Sequence, residues 1–326
     1  MKKRVVSGMR PTGRLHLGNY FGALKKWLEL QEKYECFFFS ADWHALTSDY
    51  KDPSHIRATV RDNILDWLSV GLDPDRTTIF VQSQIKEHAE LCLILAMITP
   101  LGWLERNPTY KDQVKEIQNK DLSNLGFLSY PVLQAADVLI YGGEMVPVGE
   151  DQVPHLELCR EIARRFNHLY GDLFKEPQAE LTQMPHLPGV DGRKMSKSYG
   201  NAIYLSDSKE EFVPKIMTMM TDPARVRRQD PGNPDVCPLF DLHEVFTEKK
   251  AQQELSVGCR TAAIGCVDCK KELLKRILPW HEQYMKKRAE YAAKPQWIDE
   301  IVAAGNEKAR REARKMMEVI RERIGL

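Results

Sequence analysis

Short apolar runs alternate with longer amphipathic stretches over the first half of the chain. Val5-Val6 and the segments 37–42 and 78–82 are apolar or β-branched runs with the length of buried strands. Between these runs, apolar residues recur every three or four positions, first at Leu24, Trp27 and Leu28 and then at Ile56, Val60, Ile64, Trp67 and Leu68. The alternation predicts βαβ units, and therefore an α/β fold built on a Rossmann-like, doubly wound parallel sheet.

Polar segments directly follow three of the predicted strands, at residues 7–10, 42–44 and 82–84. In an open parallel sheet, ligands bind beyond the carboxyl ends of the strands, which is where these segments would lie. The pattern therefore predicts a ligand site at this edge of the sheet.

The pattern changes from about residue 205 to polar, mainly helical sequence with loops such as 230–235 that are rich in Pro, Gly and Asp. We predict a Rossmann-fold domain over 1–203 with an inserted helical segment, an all-helical domain over 204–305 and an amphipathic helix over 306–326. One face of the last helix is apolar, at Ala309, Ala313, Met316, Ile320 and Ile324. Its basic face is a solvated surface or, alternatively, a contact for RNA phosphates, at Lys308, Arg310, Arg311, Arg314 and Lys315.

The composition limits the class of protein. The 326 residues are 43% hydrophobic, enough for a full core, and 47 basic against 46 acidic residues leave a net charge of +1. Local basic patches, and not a global field, would therefore hold any nucleic-acid partner. No apolar run has the roughly 20 residues that cross a bilayer, and the basic start at residues 1–4 leads into a strand without a signal-peptide core. We predict a cytoplasmic protein with no membrane partner.

Two short segments carry candidate chemistry. His16, Gly18 and Asn19 lie in a turn between the first strand and a helix, where backbone N–H groups and the helix dipole favour a phosphate. Residues 194–198, Lys-Met-Ser-Lys-Ser, follow two glycines and place two ammonium groups and two hydroxyls in one loop, a donor set suited to pyrophosphate. A capping or core role is the alternative for a single histidine. Together the segments resemble the two signatures of class I aminoacyl-tRNA synthetases.

Four of the seven cysteines cluster with the spacing C-x21-C-x6-C-x2-C, at Cys237, Cys259, Cys266 and Cys269. The close pair at the end of this set has the spacing of metal ligands, and disulfides are rare in the cytoplasm. Four thiolates hold either tetrahedral zinc or an iron–sulfur cluster. The other three are scattered in apolar or helical context and are interpreted as inert core residues, at Cys36, Cys92 and Cys159.

Nearly the whole chain resembles the bacterial tryptophanyl-tRNA synthetases. Six ordered motifs carry the resemblance, at residues 8–13, 16–20, 41–47, 130–137, 147–152 and 194–198. The resemblance implies a Rossmann catalytic domain, a helical anticodon-binding domain and a homodimer. It also implies a two-step reaction with ATP and Mg²⁺. L-Tryptophan forms an adenylate with release of pyrophosphate, and the acyl group then passes to tRNA(Trp).

The resemblance also implies the residues that bind ATP. Five of them would act in catalysis by donating to phosphate oxygens, since adenylate formation needs alignment and charge stabilisation: His16, Asn19, Lys194, Lys197 and Ser198. The first signature of the class usually has a second histidine where Asn19 stands. The remaining ATP ligands would be Arg10, Pro11, Thr12, Gly18, Lys111, Gly149, Glu150, Asp151, Met195 and Ser196. For Glu150 and Asp151, a position at a helix N-terminus is an alternative role.

The implied tryptophan ligands are Asp137, Tyr130, Gln152, His44 and Gln134. Asp137 lies in an otherwise apolar segment, and burying an unpartnered carboxylate is costly. An indole N–H would supply the partner, and a competitor without a donor would be rejected. A structural arginine or a backbone donor is the alternative partner. Gln134 stands where many tryptophan enzymes have methionine, which implies a more polar pocket wall.

Other functions remain open from the sequence. They are a tyrosine-specific enzyme of the same class, a non-catalytic regulatory paralogue, and a small-molecule adenylyltransferase, which would not need a helical domain with four cysteines. For the cysteines, the resemblance to a subset of bacterial enzymes implies a structural 4Fe-4S cluster, with Zn²⁺ or free thiols as alternatives. Nearby basic residues are candidates for tRNA phosphates or form a solvated charge run, at Arg225, Arg227, Arg228, Lys270 and Lys271.

Overall fold

The computed structural model describes residues 2–107, 122, 124–181 and 187–326, with the backbone alone for residue 151. The described residues form two compact units. The first unit consists of residues within 1–13, 23–183 and 291–326, and the second consists of residues within 14–22 and 184–290.

A five-stranded parallel sheet forms the centre of the first unit. Its strands are β1 (Arg4–Met9), β2 (Glu35–Ser40), β3 (Thr77–Val81), β4 (Met145–Val148) and β5 (Gln178–Leu181). Their spatial order is β3-β2-β1-β4-β5, and every neighbouring pair is parallel. This order confirms the predicted doubly wound sheet. The strand order reverses between β1 and β4, which is where such sheets form a ligand crevice.

Helices cover both faces of this sheet. They are α2 (Lys25–Leu30), α3 (Asp42–Asp49), α4 (Ile56–Val70), α5 (Glu87–Ile98), α6 (Leu101–Glu105), α7 (Leu125–Leu139), α8 (Val153–Tyr170) and α13 (Pro295–Ile324). Neighbouring residues of β2 point to opposite faces. Phe38 therefore stacks on Trp27 of α2, while Phe37 stacks on Tyr141, which follows α7. The central part of β2 and all of β3 are buried on both sides, as their apolar and β-branched sequence predicts.

The last helix, α13, covers the edge of the sheet at β3. Asn306 accepts a hydrogen bond from the backbone N–H of Val81 at 3.0 Å, which satisfies a donor on the outer strand. Gly305 packs so closely that an added Cβ would lie 1.8 Å from the carbonyl oxygen of Ile79. On the basic face of α13, Arg314 pairs with Glu87 at 3.0 Å, so part of this face packs against α5 instead of being only solvated.

The second unit is helical, in agreement with the prediction of an all-helical part. Its helices are the short turn α1 (Leu17–Asn19), α9 (Lys209–Thr218), α10 (Pro238–Phe246), α11 (Lys249–Arg260) and α12 (Cys266–Ala292). A π-helical segment, Tyr20–Leu24, follows α1. In the core of the unit, Phe212 stacks on His281, and His281 Nε2 donates to the carbonyl oxygen of Leu205 at 3.0 Å.

Throughout the described ranges, we find no helix that is both long enough and apolar enough to cross a membrane.

Candidate active site

His16 and Asn19 hold each other in the second unit. The backbone N–H of Asn19 donates to Nδ1 of His16 at 3.3 Å, and the backbone N–H of His16 donates to Oδ1 of Asn19 at 3.0 Å. This reciprocal pair is a capping box at the start of α1. An added Cβ at Gly18 would lie 2.9 Å from His16 Nδ1, so glycine lets the imidazole pack onto the turn. The capping role considered from the sequence is therefore present.

The His16 imidazole is neutral at physiological pH. Its burial, and then the positive charge of Lys197, lower the pKa of His16 to about 4. Because Nδ1 accepts from Asn19, the proton of the neutral ring is on Nε2. The ring is thus a fixed neutral donor, and its proximity to Lys197 shows that the first predicted signature and the lysine loop meet in this unit.

The lysine loop, residues 194–198, is held by Asn201. The backbone N–H of Ser196 donates to Asn201 Oδ1 at 2.8 Å, and Asn201 Nδ2 donates to the Lys194 carbonyl oxygen at 3.2 Å. The hydroxyls of Ser196 and Ser198 are 2.8 Å apart. Met195 is buried and Lys194 is exposed, so the loop is anchored by its apolar residue and presents its first ammonium group to solvent.

Arg10 follows β1 at the carboxyl edge of the first unit. It is half-buried, and its Nη2 donates to Ser48 Oγ at 2.5 Å. Burial lowers the pKa of Arg10 and the charge of Asp49 opposes the shift. The Nε of Arg10 is buried without a hydrogen-bond partner, so this cation has a donor to spare for an anion. Of the two predicted neighbours, Pro11 is buried and Thr12 is exposed.

The segment after β4 turns through Gly149 into a short 3-10 helix, Glu150–Gln152, and then into α8. The backbone N–H of Gln152 donates to the carbonyl oxygen of Gly149 at 3.0 Å. Glu150 is exposed and Gln152 is half-buried. The segment lies at the carboxyl end of β4, beside the point where the strand order reverses. The side chain of Asp151 and the whole of Lys111 lie outside the described residues.

Asp137 is the centre of a buried network in the first unit. Its Oδ2 is 2.8 Å from His44 Nε2, its Oδ1 is 2.6 Å from His88 Nδ1, and Gln82 Nε2 donates to both oxygens at 2.8 and 2.9 Å. Burial alone would raise the pKa of Asp137, but the hydrogen bonds from His44 and His88 outweigh it and lower the pKa to about 2. The carboxylate is therefore an anion. Its partners in the described structure are neither the arginine nor the backbone donor considered from the sequence.

The same face of α7 carries two further predicted ligands. Tyr130, Gln134 and Asp137 are separated by four and three positions, which places them on one side of the helix. Tyr130 Oη is 2.5 Å from His155 Nε2, and the ring of Tyr130 lies 6.2 Å from that of His44. Tyr130 and Gln134 are half-buried, whereas Asp137 on the same helix face is buried.

Sequence reasoning missed His88 and Tyr141, which complete the network behind Asp137. His88 Nε2 is 2.7 Å from Tyr141 Oη, and both side chains are fully buried. The available signal was a histidine in the apolar helix α5, because a buried imidazole requires partners. Asn201 was missed as well, although it follows the lysine loop by only three residues.

The four clustered cysteines border one small cavity of about 20 Å³ in the second unit. The Cys269 Sγ atom is 3.4 Å from His243 Nε2, and Arg225 Nη1 donates to Cys259 Sγ at 3.9 Å. Burial, and then the neighbouring cysteines, raise the pKa of Cys269 to about 12. Among the described residues, no group of three or more His, Cys, Asp or Glu side chains has the geometry of a metal site. Four thiols are a suitable donor set for a metal, but in the described structure they are not arranged as a metal site.

Comparison with known proteins defines the class. The family model of class I tRNA synthetases for tryptophan and tyrosine (W and Y) matches residues 1–278. The chain therefore belongs to this family of class I aminoacyl-tRNA synthetases, in agreement with the parallel sheet and the two signatures.

The relatives narrow the assignment. The chain is 53% identical to a tryptophan–tRNA ligase of Thermotoga maritima over 99% of both chains, and 45% identical to that of Aquifex aeolicus over 99% of this chain and 100% of that one. A crystal structure of the Campylobacter jejuni tryptophanyl-tRNA synthetase, in complex with ADP and tryptophan, has a TM-score of 0.88 and 36% identity, covering 99% of this chain and all of that one. Within the class, the chain belongs to the tryptophan–tRNA ligases.

Proposed function

We propose that this chain activates L-tryptophan with ATP, releases pyrophosphate and transfers the tryptophanyl group to tRNA(Trp). The observation that carries the amino-acid choice is the buried anionic carboxylate of Asp137 at the ligand edge of the sheet. A buried carboxylate accepts the N–H of an indole ring and rejects an apolar ring that has no donor. The complex of a relative with ADP and tryptophan supports the same pair of ligands.

Tyr130, Gln134, Gln152 and His44 are the proposed companions of Asp137 in the amino-acid site. Tyr130 and Gln134 share a helix face with Asp137, and His44 is its direct partner. Hydroxyl and amide groups can hold the ammonium and carboxylate groups of the amino acid. His44 was expected to form a pocket wall, and its hydrogen bond to Asp137 supports an additional role in orienting the carboxylate.

The phosphates of ATP are the proposed ligands of His16, Asn19, Lys194, Lys197 and Ser198. These residues supply neutral and cationic donors, and the reaction needs no side-chain nucleophile because the substrate carboxylate attacks phosphorus. The other proposed ATP contacts are Arg10, Pro11, Thr12, Gly18, Lys111, Gly149, Glu150, Asp151, Met195 and Ser196. When bound, Mg²⁺ would neutralise part of the negative charge of the phosphates.

Amino-acid-dependent exchange of labelled pyrophosphate into ATP tests this function, with tryptophan and tyrosine assayed separately. We expect exchange with tryptophan alone, followed by tryptophan transfer to tRNA(Trp) in an aminoacylation assay. Exchange with tyrosine would reassign the substrate and give Asp137 another role. Absence of exchange with both amino acids, in folded protein, would contradict the proposed enzyme activity.

We propose that the helical region predicted at 204–305, of which residues 204–290 lie in the second unit, recognises the anticodon region of the tRNA. Arg227 and Arg228 are exposed in this region and supply cations for phosphates. Arg225 and Lys270 have structural contacts instead, because they donate to the carbonyl oxygens of Ile264 and Met217 at 2.8 and 2.9 Å. Replacing Arg227 and Arg228 by alanine should weaken tRNA binding and reduce its salt dependence, with unchanged pyrophosphate exchange.

A 4Fe-4S cluster is the proposed occupant of the cysteine site, with Zn²⁺ as the alternative. Cys237, Cys259, Cys266 and Cys269 would be its ligands, and their placement around one cavity supports this set. When bound, the cluster stabilises the helical unit and takes no part in acyl transfer. Metal analysis and visible absorption of protein purified without oxygen distinguish iron from zinc. Protein that contains no metal and is fully stable would contradict both proposals. Cys266→Ser should reduce the metal content, whereas Cys36→Ser, outside the cluster, is the matched control and should not.

We also propose a cytoplasmic homodimer, formed through an apolar surface of the first unit. Leu93 and Met97 of α5 and Leu101 of α6 are exposed large apolar side chains, and Leu125 at the start of α7 is another. Apolar side chains on consecutive helices are typical of an interface between two copies. Met97→Glu should convert the dimer to monomer in sedimentation velocity, whereas Val226→Glu, on the exposed surface of the second unit, should leave it dimeric. A monomeric parent protein would contradict the proposal.

A further inference from the structure

A hydrogen-bonded chain of three residues runs through the core of the first unit. Tyr141 Oη is 2.7 Å from His88 Nε2, and His88 Nδ1 is 2.6 Å from Asp137 Oδ1. All three residues are at most 1% exposed. His88 lies in α5, Asp137 lies in the last turn of α7, and Tyr141 lies two residues after the end of α7.

We propose that His88 and Tyr141 are positioning residues for amino-acid selection: they hold Asp137 so that one of its oxygens faces the indole N–H of tryptophan. This inference rests on the proposed role of Asp137 as the indole acceptor. Neither His88 nor Tyr141 contacts the substrate, so both act through the carboxylate.

The proton on the Asp137 side follows from the chemistry of the groups. An ionised carboxylate can only accept, so His88 Nδ1 carries a proton and donates it to Asp137 Oδ1. We assign the phenol proton of Tyr141 to the contact with His88 Nε2, which reinforces this tautomer and fixes the orientation of the ring. Without the hydroxyl, the ring loses the hydrogen bond that holds it from behind.

The two oxygens of Asp137 have different surroundings. Oδ1 is bonded to His88 from the core, whereas Oδ2 is bonded to His44, which belongs to a segment at the ligand edge of the sheet. Gln82 contacts both oxygens. A carboxylate has about four acceptor positions, and these contacts use them. The indole N–H must therefore replace a donor at Oδ2, the side of His44, while His88 keeps Oδ1 in place.

Tyr141→Phe is the most conservative test because it removes one hydroxyl group. Pyrophosphate exchange should be measured with tryptophan and with 3-(1-benzothiophen-3-yl)alanine, which has sulfur in place of the indole N–H. For tryptophan we expect kcat/KM to fall about tenfold, as for loss of one buried hydrogen bond. For the analogue we expect less than about a twofold change, since it makes no bond to Asp137. The KM for ATP should stay constant.

Two substitutions of His88 provide an independent test. His88→Asn places an amide N–H near the position of Nδ1 and should retain most of the preference for tryptophan over the analogue. His88→Leu removes the donor and should abolish most of this preference. Tyr170→Phe is the matched control, because Tyr170 packs on Phe166 in the same unit, outside the Asp137 network.

Each outcome decides the question. If the variants lose tryptophan and analogue activity in parallel, or keep the full preference, His88 and Tyr141 do not position Asp137. If Tyr141→Phe fails to fold, the comparison of the two His88 variants decides. A parent enzyme that uses the analogue as well as tryptophan, or an Asp137→Asn variant with undiminished preference, would instead contradict the proposed role of Asp137 itself.

Discussion

The backbone N–H of Ser196 donates a hydrogen bond to Oδ1 of Asn201 at 2.8 Å, so a side chain outside the lysine loop fixes the backbone of the loop. The side-chain Nδ2 of Asn201 in turn donates to Asp191 Oδ1 at 2.7 Å and to the Lys194 carbonyl oxygen at 3.2 Å. Asn201 is 2% exposed, and an added Cβ at Gly189 would lie 2.3 Å from its Cγ atom. Both the position and the rotamer of Asn201 are therefore determined by packing.

Asn201→Ala should reduce kcat of tryptophan-dependent pyrophosphate exchange by about 10- to 100-fold, because misplacement of catalytic donors by about 1 Å has effects of this size. The KM for tryptophan should change by less than about threefold, since Asn201 holds the lysine loop and Asp191 in the second unit, whereas the proposed tryptophan ligands belong to the first. Asn233→Ala is the control, because Asn233 caps a 3-10 turn elsewhere in the second unit. An unchanged kcat would show that the loop is ordered without Asn201.

Asp137→Asn should lower kcat/KM for tryptophan by about 100-fold in the same assay. The substitution exchanges one acceptor oxygen for an N–H donor that faces the donors of Gln82 or a histidine, and breaking a buried charged pair has effects of about 2–5 kcal/mol. The KM for ATP should stay within about twofold. Retention of both tryptophan activation and discrimination against tyrosine would exclude indole pairing by this carboxylate.

Gly305→Ala should reduce the free energy of unfolding by about 3 kcal/mol, the upper end of the usual range for overpacking, because the contacted atom belongs to the backbone. Unless the backbone shifts, the added Cβ atom would lie 1.8 Å from the carbonyl oxygen of Ile79. Gly22→Ala is the control, because nothing lies within 4 Å of a Cβ at that position. Urea unfolding monitored by circular dichroism compares the two variants, and equal midpoints would show that α13 moves away from β3.

The pH dependence of stability should contain a contribution from His16. Burial and the charge of Lys197 lower its pKa from 6.5 to about 4. The unfolded chain takes up a proton below about pH 6.5 that the folded chain excludes. The contribution is therefore complete above pH 6.5 and is lost as the pH falls toward 4.

Between pH 7 and pH 5 this loss is about 2 kcal/mol of unfolding free energy. His16→Asn keeps a side-chain acceptor for the cap and should remove the loss. Burial also lowers the pKa of His243 to about 4. His243 therefore adds a loss of stability of the same sign to the parent protein and to the His16→Asn variant, and this loss cancels in the comparison. Urea midpoints at the two pH values measure the difference. An identical loss in parent and variant would mean that His16 is not protected in the folded state.

Much of the fold could be predicted from the sequence because local signals agree with the tertiary structure. The β-branched and aromatic runs at β1, β2 and β3 have no polar face, which is typical of strands buried on both sides. The parallel, doubly wound arrangement also followed, since βαβ connections run successive strands in the same direction. The covering of β3 by α13 did not follow, because no local pattern indicates which strand a distant helix will contact.

Candidate site residues could be named from the sequence where a motif contains its own chemistry. His16, Asn19 and the lysine loop are short segments in which the spacing of donors is visible in the sequence. The partners of Asp137 were not visible, because His44, Gln82 and His88 come from three different segments that only the folded sheet brings together. The physical argument required a partner for the carboxylate, but it could not identify one.

The contact between Asn306 and Val81 has a consequence for biosynthesis. These residues are 225 positions apart in the chain. During translation, β3 therefore leaves the ribosome long before the helix that covers its outer edge. An uncovered strand edge can pair with other chains. A nascent chain of this protein consequently exposes the edge of β3 until residues 295–324 have emerged, and we expect its risk of aggregation to be highest during that interval.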